Sequence, residues 1–283
     1  MSLGLVIALL ALLAVVFVIT VYFSKPAVNV LRVLIRVDMQ NDFCPGGSLP
    51  VAEGNLIVGI INKLSQLGKR LGYYDLVVDT QDSHPANHGS FFTQHPGLAA
   101  FTETVLNGIK QMLWTVHCVV GTKGWEFHPE LDRSMVDKTV PKGQDERVDS
   151  YSGFFDNGRS ADAETLAQFP FLGKSTGLAE YLFAEAEKRN ADEIEIHVCG
   201  LAFRFCVSFT AKDGRSLVYR GKQLRVRVVE DATKAIVFAE GDYEREVAEL
   251  KALGIEFVTG QELINEAYAF STPMIAYPPY PHY

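Results

Sequence analysis

Cysteine is scarce: 283 residues carry four, at 44, 118, 199 and 206. No two form a C-x-x-C pair. The spacing therefore holds neither a zinc ribbon nor a disulfide framework, and reduced thiols are the expectation. Basic charge is also short. Lys and Arg number 26 against 34 Asp and Glu, for a net charge of −8. No Lys/Arg stripe interleaved with aromatics occurs, which argues against a nucleic-acid partner. No internal repeat is found.

What is present begins with Leu3–Phe23, LGLVIALLALLAVVFVITVYF, a run of 21 uncharged residues. That length spans a bilayer. It exceeds the apolar core of a cleaved signal peptide, no basic segment precedes it, and no A-x-A site follows. Residues 1–24 are therefore expected to form one N-terminal hydrophobic helix, a transmembrane signal anchor. Lys25, Arg32 and Arg36 follow it, and the positive-inside rule then places the remaining chain in the cytosol. A soluble cytoplasmic protein is the alternative if the segment is absent from the mature chain. A linker at 25–30 contains Pro26, a single domain is expected over 31–268, and residues 269–283 are a Pro/Tyr-rich tail.

Within the domain, strand and helix patterns alternate. Strands are expected at 31–37, 74–80, 138–142, 193–200, 223–231 and 255–259. Helices are expected at 53–71, 176–190, 204–219 and 241–254, the first with apolar residues at 56, 57, 60, 61, 64 and 67. This alternation predicts an α/β fold: an open, mostly parallel sheet with helices on both faces.

Ligands in such sheets bind at the carboxyl ends of the strands, and the unusual residues gather there. Asp38 ends the first strand, inside RVDMQNDFCPGGSL, where a partly buried carboxylate is costly unless something uses it. Asp82 and His84 follow the second strand, Lys142 ends the third, and Cys206 lies just past the fourth, at a helix start. A helix N-terminus lowers a thiol pKa and offers free N–H groups to an oxyanion. With Asp38 as proton acceptor and Lys142 as a nearby cation, Cys206 reads as a nucleophile. Cys199 lies within an apolar strand and reads as core. The pair Asp82-x-His84 is commonly just a turn, and a lone His117 beside apolar residues is commonly core. Together they make three N/O donors suited to Zn²⁺, Fe²⁺ or Mn²⁺ with positions left open. His88 is a further ligand or a supporting partner. His95 and His128, each before a proline, read as loop residues.

Five stretches in order, VDMQNDFCPGGSL, QDSHPANHGSF, LWTVHCV, PKG…VDSYSGFFDNG and GLAFRFCVSFTAKDG, resemble nicotinamidases of the isochorismatase-like cysteine hydrolase superfamily over about residues 31–260. The resemblance implies an isochorismatase-like fold and an amidase that converts nicotinamide to nicotinate and ammonia through a cysteine thioester, in NAD salvage. It implies a triad of Asp38, Lys142 and Cys206. It implies one divalent metal, Zn²⁺ first, on Asp82, His84 and His117, binding the pyridine nitrogen. It implies an oxyanion hole from the N–H groups of Ala202 and Cys206, with a cis peptide between Leu201 and Ala202. Phe43, Trp114 and Tyr151 match the aromatics around the substrate ring. A homo-oligomer is compatible with the resemblance.

Two positions depart from the pattern. Many relatives carry Trp where this chain has Ser83, and an acidic residue where it has Arg204. Arg204 is expected to add positive charge near Cys206. The rival readings are a related cysteine amidase acting on a carbamoyl or ureido compound, and an inactive membrane-tethered binding protein of the same fold.

Overall fold

A computed structural model describes residues 28–272. The expected span over 3–23 and the tail beyond 272 lie outside the described residues. Among the described residues, no helix is long and apolar enough to cross a membrane.

In chain order, the elements are β1 (Val30–Val37), α1 (Val58–Arg70), β2 (Leu76–Asp82), β3 (Glu103–Leu106), β4 (Ile109–Met112), β5 (Lys138–Lys142), α2 (Ala163–Gln168), α3 (Leu178–Lys188), β6 (Glu193–Phe203), α4 (Cys206–Ser216), β7 (Val218–Tyr219), β8 (Lys222–Gln223), β9 (Arg225–Ala235), α5 (Asp242–Ala252), β10 (Glu256–Val258) and α6 (Gly260–Ser271). Six strands form one sheet in the order β10-β9-β6-β1-β2-β5. Every pairing in it is parallel. The expected α/β architecture is therefore found.

The central strands are apolar because both faces are covered. Leu31, Val33, Ile35 and Val37 of β1 pack on one side with Leu178 and Leu182 of α3 and with Val207 and Ala211 of α4. Leu34 points the other way, toward Ile61 and Leu64 of α1 and Leu263 and Ile264 of α6. This is the period-two alternation of a strand set between two helical layers.

The expected boundaries shift in places. β2 starts two residues later than its apolar pattern suggested and runs through Asp82, which therefore lies inside the strand. β6 and β9 continue to Phe203 and Ala235, because irregular register beyond Val198 lets the two strands stay paired past their apolar runs. The hairpin of β3 and β4, the short α2 and the final α6 were not expected. α6 has a legible start, a capping box in which Thr259 and Glu262 satisfy each other's backbone N–H.

Candidate active site

The carboxyl ends of β1, β2 and β5 and the start of α4 meet at one rim of the sheet. Lys142, the last residue of β5, is fully buried between two carboxylates. Its Nζ lies 2.9 Å from Asp38 Oδ2 and 3.1 Å from Asp82 Oδ1. It also donates to Ser150 O at 2.8 Å and approaches Cys206 Sγ at 3.4 Å. Asp38 leaves β1 with a left-handed backbone, φ 46°, a conformation few non-glycine residues adopt. Thr80 fixes it from β2, donating to Oδ1 at 2.6 Å. Among the described residues, Asp38 Oδ2 receives no aligned hydrogen bond, although Lys142 sits beside it.

Electrostatics differ from the expectation at Cys206. The thiol opens α4 as foreseen. Burial pushes its pKa well up, and the carboxylates of Asp38 and Asp82 add to this while Lys142 only partly opposes it. The helix start expected to lower the thiol pKa is therefore opposed by burial and by two nearby carboxylates. Asp38 is pushed up by burial, with Lys142 opposing. Burial would push Lys142 down, but Asp38 and Asp82 outweigh it and hold the ammonium well above its ordinary value. The cation therefore stays charged beside the thiol and Asp38.

Asp82, His84 and His117 bring one donor atom each within 4.8 Å of one another, all buried. His84 Nε2 and His117 Nε2 lie 3.0 and 3.4 Å from Asp82 Oδ2. The other ring nitrogens face carbonyl oxygens: His84 Nδ1 is 2.8 Å from Gly143 O, and His117 Nδ1 is 2.7 Å from Thr115 O. A carbonyl only accepts, so each Nδ1 donates to its carbonyl and each Nε2 is the nitrogen left facing Asp82. This is the usual support of a metal-ligating histidine. Gly143 makes the approach possible, since a Cβ there would stand 2.5 Å from His84 Cε1. Asp82 would be raised by burial, but His84, Lys142 and its hydrogen bonds hold it well below the ordinary carboxylate range. The donor set fits a divalent metal.

His88 is placed behind this group. Its Nδ1 is 2.7 Å from Ser90 Oγ, its Nε2 is 3.3 Å from Val148 O, and its ring lies 4.2 Å from that of His84. Both nitrogens are occupied, so it packs and supports. His95 does not dangle in its loop, because its Nε2 bonds Gly89 O at 2.7 Å.

A cleft of about 330 Å³, its mouth included, opens onto Cys206, Asp82 and His117. Phe43, Trp114 and Tyr151 form walls, and Ala202 and Cys206 form part of the floor. The Leu201–Ala202 peptide is cis. The N–H of Cys206 belongs to the first turn of α4, where intrahelical acceptors are lacking. Trp114 Nε1 donates to Tyr151 Oη at 3.1 Å, which fixes the two walls to each other.

Residues not singled out in the sequence also reach the cleft. Phe205 stacks edge-on to Trp114 at 4.8 Å, and Leu49, Asp149 and Ile236 complete the lining. Asp149, two positions before Tyr151, had a signal in the sequence: it is an acid inside VDSYS. Phe205 had none beyond its place next to Cys206. The two departures are absorbed locally. Ser83 Oγ accepts from Trp125 Nε1 at 2.9 Å, so an indole from another loop approaches this position. Arg204 does not supply free charge to the thiol, contrary to expectation, because its Nη1 pairs with Asp242 Oδ2 at 2.6 Å.

A cysteine beside a buried lysine and carboxylate, at the rim of a parallel sheet and next to a three-donor cluster, defines a class of hydrolase. The chain belongs to the isochorismatase family: the Isochorismatase domain matches residues 32–262. Its relatives narrow the class. It is 36% identical to the nicotinamidase of Escherichia coli (strain K12) over 228 residues, 81% of this chain and 94% of that protein. The structure superposes on the Acinetobacter baumanii nicotinamidase/pyrazinamidase with a TM-score of 0.67 at 33% identity, covering 84% of this chain and all of that one. The Pyrococcus horikoshii pyrazinamidase in complex with zinc matches with a TM-score of 0.56 at 30% identity, over 81% of this chain and 98% of that one.

Proposed function

We propose that this protein is an amidase that hydrolyses nicotinamide to nicotinate and ammonia. The observation that carries the reading is the reach of Lys142 Nζ to Asp38, Asp82 and Cys206 Sγ at once. That arrangement suits a thiol that must lose a proton during attack. Identity to nicotinamidases over most of the chain supports the choice of substrate.

In the proposed reaction the carboxamide carbon sits opposite Sγ. The thiol proton passes to Asp38 as the S–C bond forms, and Lys142 steadies the sulfur as it gains charge. The carbonyl oxygen becomes an oxyanion held by the N–H groups of Ala202 and Cys206, the kind of preorganised donor pair that carries much of such catalysis. Asp38 returns the proton to the leaving nitrogen, and the C–N bond breaks to release ammonia and leave a thioester. Water then attacks the thioester, giving a proton to Asp38. Nicotinate leaves, and that proton returns to sulfur. Phe43, Trp114 and Tyr151 hold the ring so that the amide meets Sγ. Asp82, His84 and His117 would hold a divalent metal, proposed as Zn²⁺, which would supply Lewis-acid affinity for the ring nitrogen. The product suits NAD salvage.

The test is ammonia release by the purified protein from nicotinamide, compared with N-carbamoyl and ureido compounds. Turnover of the latter without nicotinamide overturns the reading. The run at residues 3–23 is proposed as a membrane anchor with the catalytic domain cytosolic. Recovery of the native protein in the soluble fraction, with its N-terminus near residue 25, overturns that placement and leaves the chemistry untouched.

A further inference from the structure

The reaction above leaves one buried charge of the cleft unused. Asp149 is 2% exposed and lines the cleft with Asp82, His117 and Tyr151. Its carboxylate lies within 4.8 Å of ring nitrogens of His84 and His88. Oδ1 accepts from the Ser150 N–H at 2.7 Å and Oδ2 from Gln111 Nε2 at 2.9 Å. Among the described residues, no salt bridge to Asp149 is formed. A carboxylate has about four acceptor sites, and two donors do not compensate a buried anion.

Gln111 is arranged to hold that anion. It lies on β4, 1% exposed, with its Nε2 directed at Asp149, at Met112 O (2.7 Å) and at Tyr151 Oη (3.0 Å). Its Oε1 is buried with no hydrogen-bond partner among the described residues. Turning the amide over would set that oxygen against Asp149 and a carbonyl, so its orientation is fixed.

The charge of the centre explains why an anion belongs there. With a divalent ion bound, Lys142 and the ion would bring three positive charges into a buried volume, against two negative charges from Asp38 and Asp82. A third buried carboxylate beside the ligands balances the group in a medium where unbalanced charge is costly.

We propose that Asp149 is a positioning residue for the metal: a non-ligand carboxylate, oriented by Gln111, whose charge raises the affinity of the Asp82–His84–His117 cluster for a divalent ion. The inference rests on the metal reading above. A structural role is the competing explanation, since Asp149 also ties the 149–157 loop to the β3–β4 hairpin.

The test is Zn²⁺ affinity, measured on chelator-stripped full-length protein by competition with a chromogenic chelator, alongside the melting temperature of the metal-free forms. Asp149→Asn keeps an acceptor for Ser150 N–H and removes the charge, and Asp149→Ser removes the charge with a different shape. Both are expected to bind Zn²⁺ roughly 10- to 100-fold more weakly. Asp149→Glu keeps the charge and stays within a few-fold of the parent. Unchanged affinity in whichever uncharged variant folds overturns the proposal, even if its melting temperature falls. So does an equal loss in Asp149→Glu, which would make shape rather than charge the cause. A parent protein that binds no Zn²⁺ fails at the metal reading itself, a separate result.

Discussion

Arg36 and Asp38 stand two positions apart on one chain segment, and both are fully buried, yet their surroundings differ in kind. Arg36 grips Asp79 on the neighbouring strand through Nε at 2.6 Å and Nη2 at 3.0 Å. Its Nη1 reaches Ser65 Oγ at 3.2 Å and Asp132 O at 2.8 Å, while Arg133 adds a contact to Asp79 at 3.0 Å. Asp38 has one oxygen held by Thr80 and the other beside a lysine shared with Asp82, Ser150 and Cys206. Arg36 sits in a closed knot. Asp38 sits in a group that shares too few protons and opens onto a cleft. Burial of charge alone does not mark function, since structural ion pairs bury charge as well. Incomplete pairing next to an opening does.

The largest expected effects set these two regions against each other. Cys206→Ala and Asp38→Asn are expected to lower kcat/KM by about 10³-fold or more, since each removes a member of a unit that acts together, with little change in melting temperature for Cys206→Ala. Arg36→Met is expected to do the reverse. It leaves Asp79 buried without its main partner, at a cost of about 3–5 kcal/mol, while kcat/KM per folded molecule, measured well below the melting temperature, stays near the parent. Denaturant titration with an ammonia-release assay reads both. Arg36→Met that folds normally but turns over poorly would break the distinction.

Metal loss comes next in size. His84→Ala is expected to retain little Zn²⁺ and to raise KM for nicotinamide by about 10-fold or more. Benzamide lacks the ring nitrogen and should gain nothing from the metal. The parent enzyme should therefore favour nicotinamide over benzamide, and His84→Ala should narrow the gap. Equal kcat/KM for the two amides in the parent would show that nothing grips the ring nitrogen.

Much of this contrast was legible in the sequence. Alternating apolar patterns gave the parallel sheet, because each pattern reflects a local period that tertiary packing did not override. The rule that strand ends carry ligands then brought Asp38, Lys142 and Cys206, residues far apart in the chain, to one rim. The upward push on the Cys206 thiol was not legible, because it depends on burial and on how many carboxylates face it. Arg204 was misread for the same reason: its partner Asp242 arrives from a different element. Asp149 and Phe205 were missed because their position in the cleft follows from loop geometry rather than from period. Arg36 was counted only among the basic residues that follow the apolar run, and the register that sets it opposite Asp79 shows its partner.

The smallest expected effect concerns a charge at the opposite end of the sheet. Arg227 lies near the amino end of β9, away from the cleft, and makes two 2.8 Å bonds to Glu266 on α6. These bonds to Arg227 lower the Glu266 pKa against the opposing effect of burial, and a bond from Tyr73 helps, bringing it from 4.5 to about 2. A depressed carboxylate pKa means that the folded state favours the ionised form. Its contribution to stability is fully present above the unfolded value and is lost as pH falls through the folded one. The Glu266 side chain is 41% exposed, so screening reduces that contribution to about 1 kcal/mol or less. Glu266→Gln is therefore expected to lower the melting temperature by about 2–4 °C near neutral pH. The deficit should shrink as pH falls below 4.5 toward 2, with kcat/KM unchanged throughout. A deficit that grows toward acid would reverse the sign of the linkage. A loss of turnover would mean that this distant ion pair is coupled to the cleft, and the separation between the two ends of the sheet would no longer hold.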